Sequence, residues 1–163
     1  MKSFSALVRV VLLLSCAVYA VGCAKPAGDE SGTPTAPSVQ ENTMGDSDSG
    51  TAMGLQTINF PYDSFMLDET AKSAAKANAD ILKDKTSIRV QVEGHCDQRG
   101  GIQYNIALGE KRANAVKNYM EGLGIGADRV TTISYGKERP IDPGMGEDAF
   151  AKNRRANFAI TAR

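Results

Sequence analysis

The hydrophobic positions divide the chain into three unlike sections. Residues 10–21 form an almost unbroken apolar run, and residues 24–54 contain few large apolar side chains. Residues 55–163 show apolar positions at regular spacing. The first run is shorter than the roughly 20 apolar residues that a membrane-spanning helix needs. We therefore predict one folded domain, over residues 55–163, and two preceding sections that are not part of it.

Strand-like and helix-like patterns alternate through the third section. Ile88, Val90 and Val92 alternate with other residues, which is typical of a half-buried strand. Apolar residues recur at helical spacing after Asp68, a potential helix cap, with Asn78 as the one polar member of the stripe. The complete prediction is strands over residues 56–61, 86–93, 130–135 and 155–161 and helices over residues 69–83, 102–121 and 147–153. This βαβαβαβ order indicates a sheet with helices packed on it.

The first section, residues 1–22, has the layout of a secretory signal peptide. Two basic residues precede the apolar run, which ends in small residues directly before Cys23. This ending resembles the lipobox of bacterial lipoproteins, so we expect cleavage before Cys23 and acylation of its thiol and its new amine. Ala24 follows; in lipoproteins of enteric bacteria Asp at this position favours retention in the inner membrane, so its absence favours the outer membrane. Two alternatives stay open: cleavage before Cys16, and an ordinary signal peptide with an incidental Cys23.

The second section, residues 23–54, is predicted to be a disordered tether that begins at the lipidated Cys23. About half of it is Gly, Pro, Ser and Thr, and it contains no aromatic residue. Such a composition cannot offset the entropy that a chain loses on ordering. A flexible chain of this length spans roughly 30 Å. It would thus separate an anchored end from the folded domain.

Charge and cysteine content exclude several classes of protein. The chain has 19 Lys and Arg against 19 Asp and Glu, which excludes the strongly basic surface of a dedicated nucleic-acid binder. Cys16 leaves with the signal peptide, Cys23 takes the lipid, and Cys96 remains as an unpaired thiol, so no disulfide is predicted. One His and one free Cys fall short of the usual three or four ligands of a zinc site. No metal and no cofactor are predicted.

The densest group of polar residues lies at residues 93–100 and on the helix that follows. Asn105 and Arg112 are seven positions apart, which is two helical turns, and therefore share one face of this helix. The loop that carries Asp97 leads directly into the same helix. A carboxylate and a guanidinium can thus face one small space from adjacent elements.

These residues resemble the peptidoglycan-binding signature of the OmpA-like domain family. The similarity covers the segments EGHCDQRG (residues 93–100), YNIALGEKRANAVK (104–117), SYGKERP (134–140) and KNRRA (152–156). With the lipobox and the tether, the whole layout resembles the peptidoglycan-associated lipoproteins of that family. The resemblance implies an α+β sandwich, in which helices pack on a mixed four-stranded sheet.

The resemblance also implies a ligand, the meso-diaminopimelate residue of the peptidoglycan stem peptide, which is a zwitterion. Asp97 would take its ammonium group, and Arg112 would grip a carboxylate in a bidentate manner. Asn105 would orient the ligand through its amide, Arg154 would contact a carboxylate or peptide oxygen, and Phe60 would border the site. Each residue has a structural alternative, such as a helix cap, a salt bridge, a helix-start hydrogen bond or core packing.

Partners and cellular location follow from the same resemblance. A non-catalytic protein, lipid-anchored in the outer membrane, would hold peptidoglycan on the periplasmic side and work with TolB and other Tol proteins. Two alternatives stay open. A freestanding cell-wall anchor would lack Tol partners. A cell-wall hydrolase would use Cys96 and His95, although adjacent residues at a strand end usually point to opposite faces.

Overall fold

The structure, a computed structural model, describes residues 43–163. Four strands and three helices occur in this part of the chain: β1 Ile58–Asn59, α1 Glu69–Asp84, β2 Arg89–His95, α2 Ile102–Gly122, β3 Val130–Gly136, α3 Glu147–Asn153 and β4 Arg155–Ala162. A short 3-10 helix, Ala127–Arg129, precedes β3. The predicted signal peptide, the lipidated Cys23 and the predicted tether up to residue 42 lie outside the described residues.

The strands form one mixed sheet in the order β1-β4-β2-β3. β2 and β3 are parallel, because α2 crosses over between them. β4 runs antiparallel to both β2 and β1 and lies between them. The predicted mixed four-stranded sheet with helices packed on it is thereby confirmed.

One face of the sheet contributes to the hydrophobic core together with α1 and α2. Alternate residues of β2 and β4 point to this face, and Val92 and Phe158 are fully buried there. Ala75 and Ala79 of α1 are also fully buried, so their small side chains allow close packing. A large apolar side chain buried in this way contributes about 1.5–3 kcal/mol to folding.

A pair of glycines sets the position of α2 on the sheet. Gly94 in β2 and Gly109 in α2 face each other so closely that a Cβ atom on Gly94 would overlap the Gly109 carbonyl oxygen. A Cβ atom on Gly109 would lie 2.8 Å from Gly94 O. Because glycine alone lacks a Cβ atom, this contact lets α2 lie directly against the end of β2. Arg112 is thereby brought beside His95, whose carbonyl oxygen it contacts at 2.9 Å.

Residues 43–54 are folded against the domain, which corrects the expectation of disorder over the whole predicted tether. The Met44 N–H donates to Ile160 O at 2.8 Å, and the Ile160 N–H donates to Gly45 O at 2.8 Å. This segment therefore pairs with β4. Ala52 is 1% exposed and belongs to the hydrophobic core. The folded part of the chain thus begins before residue 55, the predicted start of the domain.

A buried ion pair strengthens the contact of this segment with β4. Arg155 Nε donates to Asp48 Oδ2 at 2.7 Å, and both side chains are largely buried. Asn157 Oδ1 accepts from the backbone N–H groups of Ser47 and Asp48 at 3.1 and 3.0 Å. The composition predicted disorder because about half of residues 24–54 are Gly, Pro, Ser or Thr and none is aromatic. This segment nevertheless forms an ordered turn, because β4 supplies partners about 107 positions away in the sequence.

The bounds of most elements agree with the sequence prediction. α3 has the predicted residues, and α1 begins directly after Asp68, whose Oδ1 accepts from the Ala71 N–H at 2.8 Å. β2 covers Arg89–His95 instead of residues 86–93. In the described part of the chain, no helix combines the length and the apolar character that crossing a membrane requires.

Asn78, the polar residue on the apolar stripe of α1, has a structural role. It is fully buried; its Oδ1 accepts from the Gln56 N–H at 2.7 Å, and its Nδ2 donates to Gln56 O at 2.8 Å. The side-chain amide thus pairs with the backbone as a neighbouring strand would. Gln56 therefore lies outside β1, which begins at Ile58 rather than at the predicted residue 56.

Asn78→Ala is expected to lower the free energy of unfolding by about 2 kcal/mol. The change removes two hydrogen bonds, worth about 1 kcal/mol each, and leaves a void in the core. Urea unfolding followed by circular dichroism measures the effect. Lys76→Ala, on the exposed face of the same helix, is the control and should unfold near the wild-type midpoint. Wild-type stability of Asn78→Ala would contradict the role assigned to this amide.

Candidate functional site

A cleft opens at the end of β2, where the loop of residues 96–101 meets the start of α2 and the loop after β1. It holds about 320 Å³, including its open mouth. Its walls are formed by Tyr62, Asp63, Cys96, Asp97, Arg99, Gly100, Tyr104, Asn105, Leu108 and Arg112. The structure therefore brings Asp97, Asn105 and Arg112, three of the five residues predicted for the binding site, into one cleft.

Asp97 is the buried carboxylate of the cleft, with 4% of its surface exposed. Its Oδ1 accepts from the Arg99 backbone N–H at 3.1 Å and from Arg99 Nε at 3.2 Å. Its Oδ2 accepts from Arg99 Nη2 at 2.6 Å and from Arg154 Nη1 at 3.3 Å. Burial alone would raise the pKa of Asp97, but the hydrogen bonds from Arg99 and Arg154 outweigh burial and hold this pKa below its usual value. The carboxylate is therefore ionised at neutral pH.

Arg112 is fully buried, and its guanidinium binds backbone carbonyl groups rather than a carboxylate. Nε donates to Ser64 O at 2.8 Å, and Nη2 donates to Pro61 O at 3.2 Å. Nη1 donates to His95 O at 2.9 Å and to Cys96 Sγ at 3.4 Å. Among the described contacts, one N–H of Nη2 is left for a ligand. The bidentate grip that the resemblance implies is therefore not available in this arrangement.

Asn105 holds the loop that carries Asp97. Its Nδ2 donates to Arg99 O at 2.7 Å and to Gly101 O at 3.1 Å, and the residue is 2% exposed. Both amide N–H groups are thus directed to the loop backbone. Asn105 lies in the cleft wall as predicted, but its donors position Arg99 and Gly101 instead of being free for a ligand.

Arg154 and Phe60 lie behind the cleft. Besides its contact with Asp97, Arg154 pairs through Nη2 with Glu147 Oε1 at 2.8 Å and donates through Nε to Phe60 O at 3.1 Å. The Phe60 ring belongs to the hydrophobic core, and the Arg112 guanidinium lies 5.2 Å from its centroid. Phe60 therefore supports Arg112 from the core side and does not line the cleft.

Residues 59–154, from β1 to the residue after α3, match the family model of the OmpA family. The chain belongs to the OmpA family. The family resemblance predicted from the motif segments is thereby confirmed, and so is the OmpA-like character of the fold.

Peptidoglycan-associated lipoproteins are similar to this OmpA-family chain over most of its length. That of Pseudomonas aeruginosa is 40% identical over 157 residues, which cover 90% of this chain and 92% of the relative. That of Legionella pneumophila is 34% identical over 167 residues, covering 94% and 95% of the two chains. The crystal structure of the peptidoglycan-associated lipoprotein from Burkholderia pseudomallei has a TM-score of 0.62 at 34% identity, covering 64% of this chain and 88% of that chain.

Sequence reasoning missed four residues of the cleft in this OmpA-family domain: Tyr62, Asp63, Arg99 and Tyr104. Tyr104 Oη donates to Asp63 Oδ1 and so joins α2 to the loop after β1. The Arg99 guanidinium lies 4.0 Å from the Tyr62 ring centroid and 4.6 Å from that of Phe150. Arg99 and Tyr104 stand inside the OmpA-family motif segments, which was the signal available for them. No sequence pattern in or near the loop after β1, which carries Tyr62 and Asp63, indicates that this loop reaches the cleft.

The side chains of Cys96 and His95 contact different residues in the OmpA-family domain. The Cys96 thiol donates to Asn105 O at 3.3 Å, and burial raises its pKa. His95 Nε2 lies 3.7 Å from Glu93 Oε2, its ring centroid lies 5.5 Å from that of Tyr135, and burial lowers the pKa of His95. The described contacts contain no thiolate–imidazole pair. No group of three or more potential metal ligands occurs in the part of the chain that the structure describes.

Proposed function

We propose that this chain is an outer-membrane lipoprotein that binds peptidoglycan non-covalently, through the meso-diaminopimelate residue of the stem peptide. The observation that carries this proposal is the cleft, whose walls include a buried, ionised Asp97 and an Arg112 with one N–H that the described contacts leave free. The similarity to peptidoglycan-associated lipoproteins supports the same class of ligand.

A zwitterion needs a fixed anion and a fixed cation in its binding site. In the proposed complex, the ammonium group of diaminopimelate pairs with Asp97, and a carboxylate accepts from Arg112 Nη2. Such charge-assisted hydrogen bonds are shorter and stronger than neutral ones. Asn105 holds the loop of Asp97, and the contact of Gly94 with Gly109 holds α2, so both charges are positioned before the ligand arrives. Less ordering is then needed on binding.

Arg154 and Phe60 support the two charges in this proposal. Arg154 is 8% exposed in its side chain and donates to Asp97 Oδ2 at 3.3 Å, which helps to keep the carboxylate in one orientation. Phe60 packs against Arg112 from the core. These two residues therefore act on the ligand through Asp97 and Arg112, rather than by the direct contacts that the resemblance implied.

The proposed anchor is Cys23, acylated and inserted in the outer membrane. Each buried CH₂ of an acyl chain contributes about 0.8 kcal/mol, so two or three chains hold a protein firmly. The domain would face the periplasm and tie the membrane to the cell wall, with TolB and other Tol proteins as partners in envelope integrity and cell division. The family resemblance is the support for these partners. No catalytic step is proposed, and the separate contacts of Cys96 and His95 agree with that.

Co-sedimentation with purified sacculi tests the proposed ligand. We expect the full chain to sediment with sacculi whose stem peptides contain meso-diaminopimelate, and free meso-diaminopimelate to release it. Sacculi with Lys at that position are the control, because Lys keeps the ammonium group but lacks the second carboxylate. Equal binding to both kinds of sacculi, or no release by the free amino acid, would contradict the proposal.

Two further measurements address the anchor and the partners. Mass spectrometry of the mature N-terminus would show acylated Cys23 if the lipobox is used. Capture of purified TolB by the chain would distinguish a member of a Tol system from a freestanding cell-wall anchor.

A further inference from the structure

Arg99 occupies the place in which the ammonium group of the ligand is expected to bind. The two oxygens of a carboxylate offer about four lone-pair sites. At Asp97 these sites accept three hydrogen bonds from Arg99 and one from Arg154. An ammonium group has no acceptor left on Asp97 while Arg99 stays in place.

Arg99, rather than Arg154, is the arginine that can leave Asp97. The Arg154 side chain is 8% exposed and is held by the backbone of Phe60 as well as by Glu147. The Arg99 side chain is 35% exposed, and its described guanidinium contacts are with side chains. Moving Arg99 therefore breaks no backbone contact of its guanidinium and frees one acceptor site on each oxygen of Asp97.

Arg99 also has contacts that it can keep after it leaves Asp97. Its Nη1 lies 3.3 Å from Glu147 Oε2, and the Glu147 side chain is 62% exposed. The rings of Tyr62 and Phe150 lie within 4.6 Å of the guanidinium, at distances typical of cation–π contacts. The released guanidinium thus remains paired with a carboxylate and next to two aromatic rings.

We propose that Arg99 is an internal competitor, which occupies Asp97 in the unliganded domain and is displaced by the ammonium group of the ligand. This inference rests on the proposed function. A buried carboxylate without a cation is costly, so a ligand that lacks an ammonium group leaves Arg99 on Asp97 and binds weakly. Arg99 lowers the apparent affinity for a ligand with an ammonium group, because only domains with a free Asp97 can bind such a ligand.

Isothermal titration of the full chain with a soluble muropeptide that contains meso-diaminopimelate tests this role. Arg99→Gln removes the competing charge and should bind this ligand about tenfold more tightly. A tenfold gain is expected if Asp97 is free of Arg99 in about one wild-type domain in ten. Arg99→Lys keeps the charge without the paired contact and should bind with intermediate affinity. Arg89→Gln, which removes an exposed arginine paired with Asp128, is the matched control and should bind like the wild type.

A second ligand distinguishes competition between Arg99 and the ammonium group from a general loosening of the cleft by the substitution. A muropeptide whose free ammonium group is acetylated should bind weakly and equally to the wild type and to Arg99→Gln. A tenfold gain with this ligand as well would overturn the proposal. Another outcome is that Arg99→Gln binds the unmodified muropeptide no better than the wild type, while Asp97→Asn does not bind it. That result would overturn the role of Arg99 and would leave the proposed function standing. Undiminished binding by Asp97→Asn would instead overturn the site of the proposed function.

Discussion

Asp97→Asn is expected to abolish binding to diaminopimelate-type peptidoglycan, with a loss of affinity of at least about a hundredfold. Removing one partner of a buried charge pair costs about 3–5 kcal/mol, and about 1.4 kcal/mol corresponds to a factor of ten. This cost applies without a large reduction for solvent screening, because Asp97 is 4% exposed. Asn keeps the size of the side chain and one acceptor oxygen, so the substitution changes chiefly the charge.

The fold should survive this substitution, which separates binding from stability. Glu147 contacts both Arg99 and Arg154 and would keep both guanidinium groups paired when the charge of Asp97 is lost. Co-sedimentation with sacculi measures the binding, and thermal unfolding checks the fold. Asp80→Asn, an exposed carboxylate on α1, is the control and should sediment like the wild type. If folded Asp97→Asn also sedimented like the wild type, the ligand site would be wrongly assigned.

Arg112→Ala is expected to lower the free energy of unfolding by about 3–5 kcal/mol as well as to abolish binding. The side chain is fully buried and donates to three backbone carbonyl groups, of Pro61, Ser64 and His95. Truncation removes their donor, and the loss is largest at His95, which is buried, because a buried polar group without a partner costs about 1–3 kcal/mol. A cavity adds to the loss. The loop after β1 also loses its attachment to α2, so the cleft wall formed by Tyr62 is released.

Urea unfolding gives the stability of this variant, and sedimentation at a temperature at which it is folded gives its binding. Arg112→Lys keeps a positive charge but cannot reach all three carbonyl groups, so we expect an intermediate loss of stability. Lys111→Ala removes the neighbouring charge, which is exposed, and serves as the control. An unfolding midpoint of Arg112→Ala equal to that of the control would show that the backbone contacts of Arg112 do not stabilise the loop.

Helices were predictable from the sequence because their causes are local. α1 begins after Asp68, whose side chain caps the helix, and α3 has the predicted bounds because Pro140 and Pro143 keep the preceding segment out of a helix. β1 was predicted too long, because strand length depends on which distant backbone is available for pairing. Gln56, predicted to be in this strand, finds its partner in Asn78 instead.

The sequence predicted which charged residues line the cleft, but not which atoms these residues contact. Motif spacing predicted that Asp97 and Arg112 face one space, and the structure places both in the cleft. The sequence could not show that Arg112 uses four of its five N–H groups on backbone and thiol acceptors, because those acceptors come from the loop after β1 and the end of β2. Phe60 was expected at the border of the site and lies in the core, since its place depends on how β1 meets β4.

By itself, the sequence determined the order of strands and helices, the polar loop between β2 and α2, and the opposite charges in and after that loop. These features depend on the spacing of residues that are near one another in the chain. Only the tertiary structure decided that residues 44–48 bind β4, that Asn78 binds the Gln56 backbone, and that Arg99 occupies Asp97. The physical reason is that a hydrogen bond forms only within about 3 Å. Which groups come that close, across separations of up to 119 positions, is decided by how whole elements pack and not by any local pattern.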